Sequence, residues 1–380
     1  MKTPLAWYNL LHEKNRLLVA VVGIAFAVMI MFMNLGFLGA LSTSAAQIYG
    51  AMNGDIFISS AKTIELSTSF PFPIDYLYHA AGVKGVKQVM PMYLSFMQWR
   101  NPETKIKRSL FVFAVNPDDP AFNFPEYQDP QNRQALRQPH TILFDRRSRP
   151  EFGPQTLGLE TEASQRKIKI GGLYSMGGGF TADGTLIMSD QNFRRYFSPR
   201  PLSLINMGLI KVENGVDPEA IVLELRKILP KEVEIFTNTG IAERDRNYWI
   251  NTTSIGFIFS LGVAVAGVVG VVIVYQILYT DISEHLRQYA TLKALGYSNF
   301  FLCQVILQES LILSVLGYLP GLILSLIFYQ LTLNATAGTL PVGMTIPRLF
   351  LVFGLTIVMC SLSGLISIQK VIQADPAQVF

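Results

Sequence analysis

Asp281-Ile-Ser-Glu-His-Leu-Arg-Gln-Tyr-Ala-Thr-Leu-Lys-Ala-Leu-Gly-Tyr-Ser-Asn299 is a short polar break between two long apolar runs. It holds the ending Ala294-Leu295-Gly296. That ending predicts a helix stop, because glycine fits the left-handed position that closes a helix. At helical spacing Ile282, Leu286, Tyr289 and Ala290 share one face, whereas Glu284, Arg287, Gln288 and Thr291 lie elsewhere on the wheel. The stretch is expected to be a short amphipathic helix lying on one side of a membrane. Such a helix can simply pack against lipid headgroups, or it can serve as a contact for a partner.

The rest of the composition agrees with a membrane setting. Of 380 residues 50% are hydrophobic and only 15% charged, and the mean hydropathy is +0.33. That is too apolar for an ordinary soluble domain. The net charge of +4 gives no reason to expect a nucleic-acid partner. Charge is concentrated between residues 43 and 250, which hold 24 of the 31 Lys and Arg and 22 of the 27 Asp and Glu. A polar domain is thus inserted among apolar segments. Cys303 and Cys360 both lie in apolar runs, so the polar domain has no disulfide framework and both read as small buried hydrophobes.

Four apolar runs are long enough to cross a bilayer, which takes about 20 residues. The expected order is a short amphipathic N-terminus (1–16), a first span (17–42), the polar domain (43–252) and a second span (253–279). A loop carrying the quoted helix (280–300), a third span (301–331), a short loop (332–348), a fourth span (349–368) and a tail (369–380) follow. Ser44-Ala45-Ala46 resembles a signal cleavage site, but the preceding apolar run exceeds the roughly 7–15 residues of a signal core. An uncleaved anchor is expected. Lys2, Lys14, Arg16, Arg287, Lys293 and Lys370 lie on the termini and the 280–300 loop, against Arg348 alone in the 332–348 loop. The positive-inside rule then makes both termini cytoplasmic.

Within the polar domain, alternating or β-branched runs at 55–59, 86–99, 109–115, 141–144, 167–171, 186–188, 208–212 and 233–236 read as strands. Helices are expected at 190–196 and 218–229. Short strands and helices without a regular βαβ order suggest an α+β fold. The first helix can continue beyond the lipid through Ser42–Tyr49, and the run from Glu243 to Tyr279 is compatible with one long helix, so that the two would form paired stalks; the alternative is that the chain turns at Ser42 and at Thr252 and leaves the domain on slack linkers. Gly256, Gly262, Gly267 and Gly270 on the second span would admit a close neighbour, either a second copy or a helix of the same chain.

No catalytic constellation is found. Gly177-Gly-Gly179 is not followed by the Gly-Lys-Ser/Thr of a phosphate-cradling loop. His12, His79, His140 and His285 are scattered, and no nucleophile elbow is present. No metal or cofactor is expected. Glu309 is the single acid inside a span, where a charge costs at least about 2.5–3.5 kcal/mol. It is either snorkelled or helix-paired, or it forms a hydrogen-bond lock between the third helix and its neighbours.

The words of the 284–298 stretch, Glu-His-Leu-Arg-Gln-Tyr-Ala-Thr-Leu-Lys-Ala-Leu-Gly-Tyr-Ser, resemble the cytoplasmic loop of FtsX-type and MacB-type ABC transporter permeases. Gln288 stands at that motif's second acidic position, and Tyr289-Ala290 replaces the commoner Ile-Gly. The resemblance implies a coupling helix for an ATPase subunit, with Ile282, Glu284, Leu286, Arg287, Tyr289, Leu292, Lys293, Leu295 and Gly296 as its candidate residues. The run from Ile170 through Gly177-Gly-Gly-Phe180 to Phe193, the opening Pro4–Arg16 and the ending Ala374–Phe380 are similar to DevC-type permeases of cyanobacteria. That likeness implies four membrane helices with a large MacB-like periplasmic α+β domain, and no ATPase activity in the chain itself. The implied partners are a DevA-type ATPase, a DevB-type membrane fusion protein, a TolC-like outer-membrane channel, membrane lipid and a second copy of the chain. It also implies the inner membrane and export of a lipid-like cargo, glycolipid by family, by mechanical transmission. Two rival readings come from the wider family: an FtsX-like scaffold signalling to cell-wall hydrolases, and a lipoprotein-releasing permease of the LolC and LolE kind.

Overall fold

The computed structural model describes residues 14–177, 182–336 and 340–373. The expected amphipathic N-terminus, the tips of the glycine-rich and 332–348 loops and the chain's last residues fall mostly outside these. The chain divides into two compact units: a helical one (residues 1–39, 254–332 and 342–380) and a sheet-rich one (residues 40–253 and 333–341).

The helical unit is built on α1 (Lys14–Ala51), α8 (Ser254–Glu284), α10 (Asn299–Ala335) and α11 (Ile346–Gln373), with the short α9 (Leu286–Ala294) between α8 and α10. The four long helices are apolar and long enough to cross a membrane. Pro320 sits inside α10, and the helix continues through it. Small residues set the packing. A side chain at Gly321 of α10 would begin 2.8 Å from the Ala25 carbonyl of α1, and one at Gly270 of α8 would strike Met359 of α11. A Cβ at Gly262 would meet Asn34 of α1. Gly262 and Gly270 of the second span are therefore used inside the chain, and these two do not call for a second copy. Hydrogen bonds tie the same neighbours. Ser363 of α11 donates to the Val271 carbonyl of α8 at 2.9 Å, and Tyr318 of α10 to the Leu349 carbonyl of α11 at 3.0 Å.

The sheet-rich unit holds β1 (Ile56–Ser60), β2 (Phe72–Pro73), α2 (Asp75–Ala81), β3 (Val86–Arg100), β4 (Lys107–Val115), α3 (Pro125–Gln128) and α4 (Pro130–Arg137). There follow β5 (Thr141–Asp145), β6 (Glu160–Ala163), β7 (Arg166–Tyr174), β8 (Thr185–Ser189) and α5 (Asp190–Tyr196). Then come β9 (Leu204–Ile205), β10 (Met207–Val212), α6 (Pro218–Ile228), β11 (Val233–Thr237) and α7 (Asn238–Asn247). Nine strands form one mixed sheet in the order β11-β1-β10-β3-β4-β8-β5-β7-β6. The pairs β4–β8 and β5–β7 are parallel. Trp99 of β3 also pairs with Ala163 of β6, which closes six of the strands into a ring. The parallel pairs, the closure and the short β2, β6 and β9 are additions to the strands read from the sequence.

Both faces of this sheet are buried. Along β4, Leu110, Val112 and Ala114 enter one core with Ile58, Leu77, Phe144 and Leu225, and Phe111, Phe113 and Val115 enter the other with Tyr49, Phe57, Tyr127 and Ile241. Double burial is why these strands read as continuous apolar runs rather than as alternation. Side-chain caps start the helices: Ser189 accepts from Asn192 N–H, Asp217 from Glu219 N–H and Thr237 from Gly240 N–H. At the β11 edge, Asn238 N–H donates to the Asp55 carbonyl and Ala61 N–H to the Glu232 carbonyl. The even-numbered β11 residues thus bond inward, and Val233 and Ile235 turn their backbone groups outward. Arg226 covers the Ile235 carbonyl at 2.9 Å, and Val233 N–H folds back onto Pro230 at 3.2 Å.

Candidate functional site

The 281–299 stretch is not one helix. Its first residues prolong α8 to Glu284, the chain breaks at His285, and α9 starts at Leu286. His285 is held across the break by its ring Nδ1, 3.0 Å from the Asp281 carbonyl oxygen. The far end closes as the sequence predicts. Gly296 takes φ 91°, its N–H donates to the Lys293 carbonyl at 3.0 Å, and Tyr297 N–H donates to the Leu292 carbonyl at 3.1 Å. This pair of bonds is the Schellman closure, and it requires a residue at ease in the left-handed region. Lys293, in the last turn, complements the negative end of the helix dipole.

The candidate residues separate into two groups. Ile282 and Tyr289 are buried in a cluster with Leu302 and Ile306 of α10 and Ile368 of α11, and Leu286 and Leu292 are partly buried against it. The apolar face of α9 is thus spent on the chain's own bundle. Glu284, Arg287, Leu295 and Gly296 are exposed, and Lys293 is half-buried. Glu284 is paired with Arg16 of α1. Leu295 is 71% exposed, and so is Phe300 at the start of α10, with Tyr297 exposed between them and its ring 4.9 Å from that of Phe301. Sequence reasoning missed Tyr297 and Phe300. The available signal was two large aromatics directly after a helix stop in a polar loop.

Glu309 is fully buried on α10. It lies one turn past Ile306 and two past Leu302, on the face that receives Tyr289. The Tyr289 hydroxyl is buried without a hydrogen-bond partner among the described residues. Its burial first, and the nearby Glu309 charge second, push this phenol well above its ordinary value. Tyr289 therefore stays neutral, and its aromatic body fixes α9 onto α10. Among the described residues no group of acidic, histidine or cysteine side chains could hold a metal ion.

Among the described residues, four helices able to span a membrane, with a sheet-rich unit inserted between the first two, define a polytopic membrane protein with a large domain outside the bilayer. Residues 255–376 match the FtsX-like permease C-terminal family. Over 97% of its length the chain is 20% identical to uncharacterised ABC transporter permeases of Mycobacterium tuberculosis strains CDC 1551 / Oshkosh and ATCC 25618 / H37Rv, covering 96% of each. Among solved structures, the periplasmic region of MacB from Actinobacillus actinomycetemcomitans is similar at 11% identity and a TM-score of 0.37, over 50% of this chain and 92% of that one. The extracellular domain of the transporter YknZ from Gram-positive bacteria is similar at 12% identity and a TM-score of 0.32, over 48% and 99%.

Proposed function

We propose that the chain is the membrane subunit of an ABC transporter of the FtsX and MacB kind, and that α9 with the turn after it is where a separate ATPase subunit docks. One observation carries the reading. α9 uses its apolar face to fix itself to α10 and α11, yet Leu295 and Phe300 remain 71% exposed beside the Schellman turn. A surface that is both rigidly held and apolar suits a partner that must push on it. The polar rim is Glu284, Arg287 and Lys293.

In this reading both termini and α9 face the cytoplasm, and the sheet-rich unit is extracytoplasmic. ATP hydrolysis belongs to the partner. Movement at α9 passes to the sheet-rich unit and drives export of a lipid-like cargo together with a membrane fusion protein and a TolC-like channel. The support for these further steps is the resemblance of the 170–193 run and the chain ends to DevC-type permeases.

The test is co-purification of the permease with its ATPase subunit in mild detergent. Leu295→Asp and Phe300→Asp should each abolish it while membrane insertion and thermal stability stay normal. Leu286→Asp is a poor probe, because Leu286 packs in the bundle. Undiminished capture by the double variant would remove the docking role and leave α9 as an interfacial helix.

A further inference from the structure

Two stretches of chain lead from the long helices into the strands of the sheet-rich unit, and they are built differently. α1 is helical without a break from Lys14 to Ala51. Its last turn belongs to the sheet-rich core, where Ile48 and Tyr49, with Met52 just past the helix end, pack with Phe57, Met90, Phe113 and Ile241. Polar bonds hold the same turn. The Tyr49 hydroxyl donates to Asp245 Oδ2 at 2.6 Å, and Leu66 N–H donates to that oxygen at 3.1 Å. Arg244 holds Oδ1 at 2.9 Å and donates to Ser59 at 3.1 Å. The Asn238 amide donates to the carbonyls of Tyr49 at 3.2 Å and Gly54 at 3.0 Å. The end of α1 is thus gripped through its side chains and its backbone, in a buried, charge-assisted network.

The second stretch carries the other half of that network on α7 and is built differently beyond it. After α7 the helix widens into a π turn at Tyr248–Thr252 that buries no residue. Thr253 N–H closes it onto the Tyr248 carbonyl at 3.2 Å, and Thr253 itself is extended, with φ −85° and ψ 151°. The regular helical ladder therefore stops before α8 begins. The Glu243–Tyr279 run is interrupted here, and the paired continuous stalks expected from the sequence are not formed. A π turn that buries no residue, followed by an extended residue, is what a hinge consists of.

We infer that α1 alone is the rigid rod through which movement reaches the sheet-rich unit, and that the Tyr248–Thr253 turn is a hinge that frees α8 from α7. This rests on the transmission reading above. The Tyr49–Asp245–Arg244 network is the grip at the end of the rod.

The experiment uses the full chain in lipid nanodiscs with the ABC ATPase subunit that co-purifies with it. ATP and ADP are the only additions, so no cargo is needed. Amide hydrogen exchange is read over residues 61–69 and α7, which surround Asp245. Gly-Gly-Gly is inserted either after Ala46 or after Thr252. Each glycine inside a helix costs about 1 kcal/mol and breaks its stiffness. The unaltered protein should show an ATP-against-ADP difference. The insertion after Ala46 should abolish that difference, and the insertion after Thr252 should leave it at full size. Loss with both insertions, or with the Thr252 insertion alone, overturns the single rod but leaves transmission standing. A difference that survives both insertions, or is missing from the unaltered protein, overturns both. Ala45→Gly with Ala46→Gly adds no length and covers a misfolded insertion. It should shrink the difference at least twofold, and an undiminished difference refutes the rod.

Discussion

The two units of this chain are polar in opposite senses. In the sheet-rich unit the interior is mainly Phe, Tyr, Ile, Leu and Met, and most charge is on the outside, with Glu65, Asp145 and Asp245 as buried exceptions. In the helical unit Phe257, Ile258, Val265, Val268, Leu319, Ile323 and Phe350 face outward, while Glu309, Ser310, Ser314, Ser325, Thr356, Ser363 and Ser367 are buried. Water drives the first arrangement, because burial removes apolar surface from it. The second arrangement fits a hydrocarbon surround, which rewards no apolar burial and leaves close contact and interhelical hydrogen bonds to hold helices together. The same residue type therefore carries different energetic weight on the two sides of Gly39.

That contrast can be broken by substitution. The largest effect belongs to the sheet. Phe113, fully buried with its ring 4.9 Å from Phe111, should cost about 3–5 kcal/mol when changed to Ala, read as thermal unfolding of the sheet-rich unit. Next is Gly321→Leu. Its added atoms would meet Val28 and the Ala25 carbonyl, and overpacking of this kind costs about 1–3 kcal/mol, measured as lost resistance of the helical unit to denaturing detergent. Ser363→Ala removes a bond between α11 and α8 and should cost about 0.6 kcal/mol in the same assay. Phe257, 65% exposed, should tolerate Ala almost without change if lipid covers it. A penalty there approaching that of Phe113 would mean that a protein surface, such as a second copy, covers this face of α8.

Legibility in the sequence follows the same division. The major strands of the sheet-rich unit fall where β-branched and aromatic runs place them, because burial on both faces writes an unbroken apolar code. The parallel pairing of β4 with β8, and the return of Ala163 to Trp99, depend on partners far apart in the chain and leave no local mark. The Gly296 helix end was legible because one backbone conformation selects glycine. Which candidate residues stay exposed was not. A helical wheel shows that Ile282, Leu286, Tyr289 and Ala290 want cover, yet it does not say whether a partner or the chain's own α10 supplies it. The break before α8 was left open beside the continuous helix for a different reason. Arg244–Asn247 contains no proline, and nothing in Tyr-Trp-Ile-Asn-Thr-Thr announces a widened turn.

The blunted margin at β11 has a consequence for crowding. Membrane anchoring would confine copies to a plane and align them, so that identical strand edges meet at high local density and in matching orientation. Under such conditions an open edge would let neighbouring sheets zip together into a growing ribbon. The Arg226 guanidinium on the Ile235 carbonyl and the fold-back of Val233 onto Pro230 occupy two of the outward backbone groups that such a ribbon would need. One cation and one turn thereby discourage polymerisation in two dimensions, at an edge whose Val233 and Ile235 side chains belong to the core.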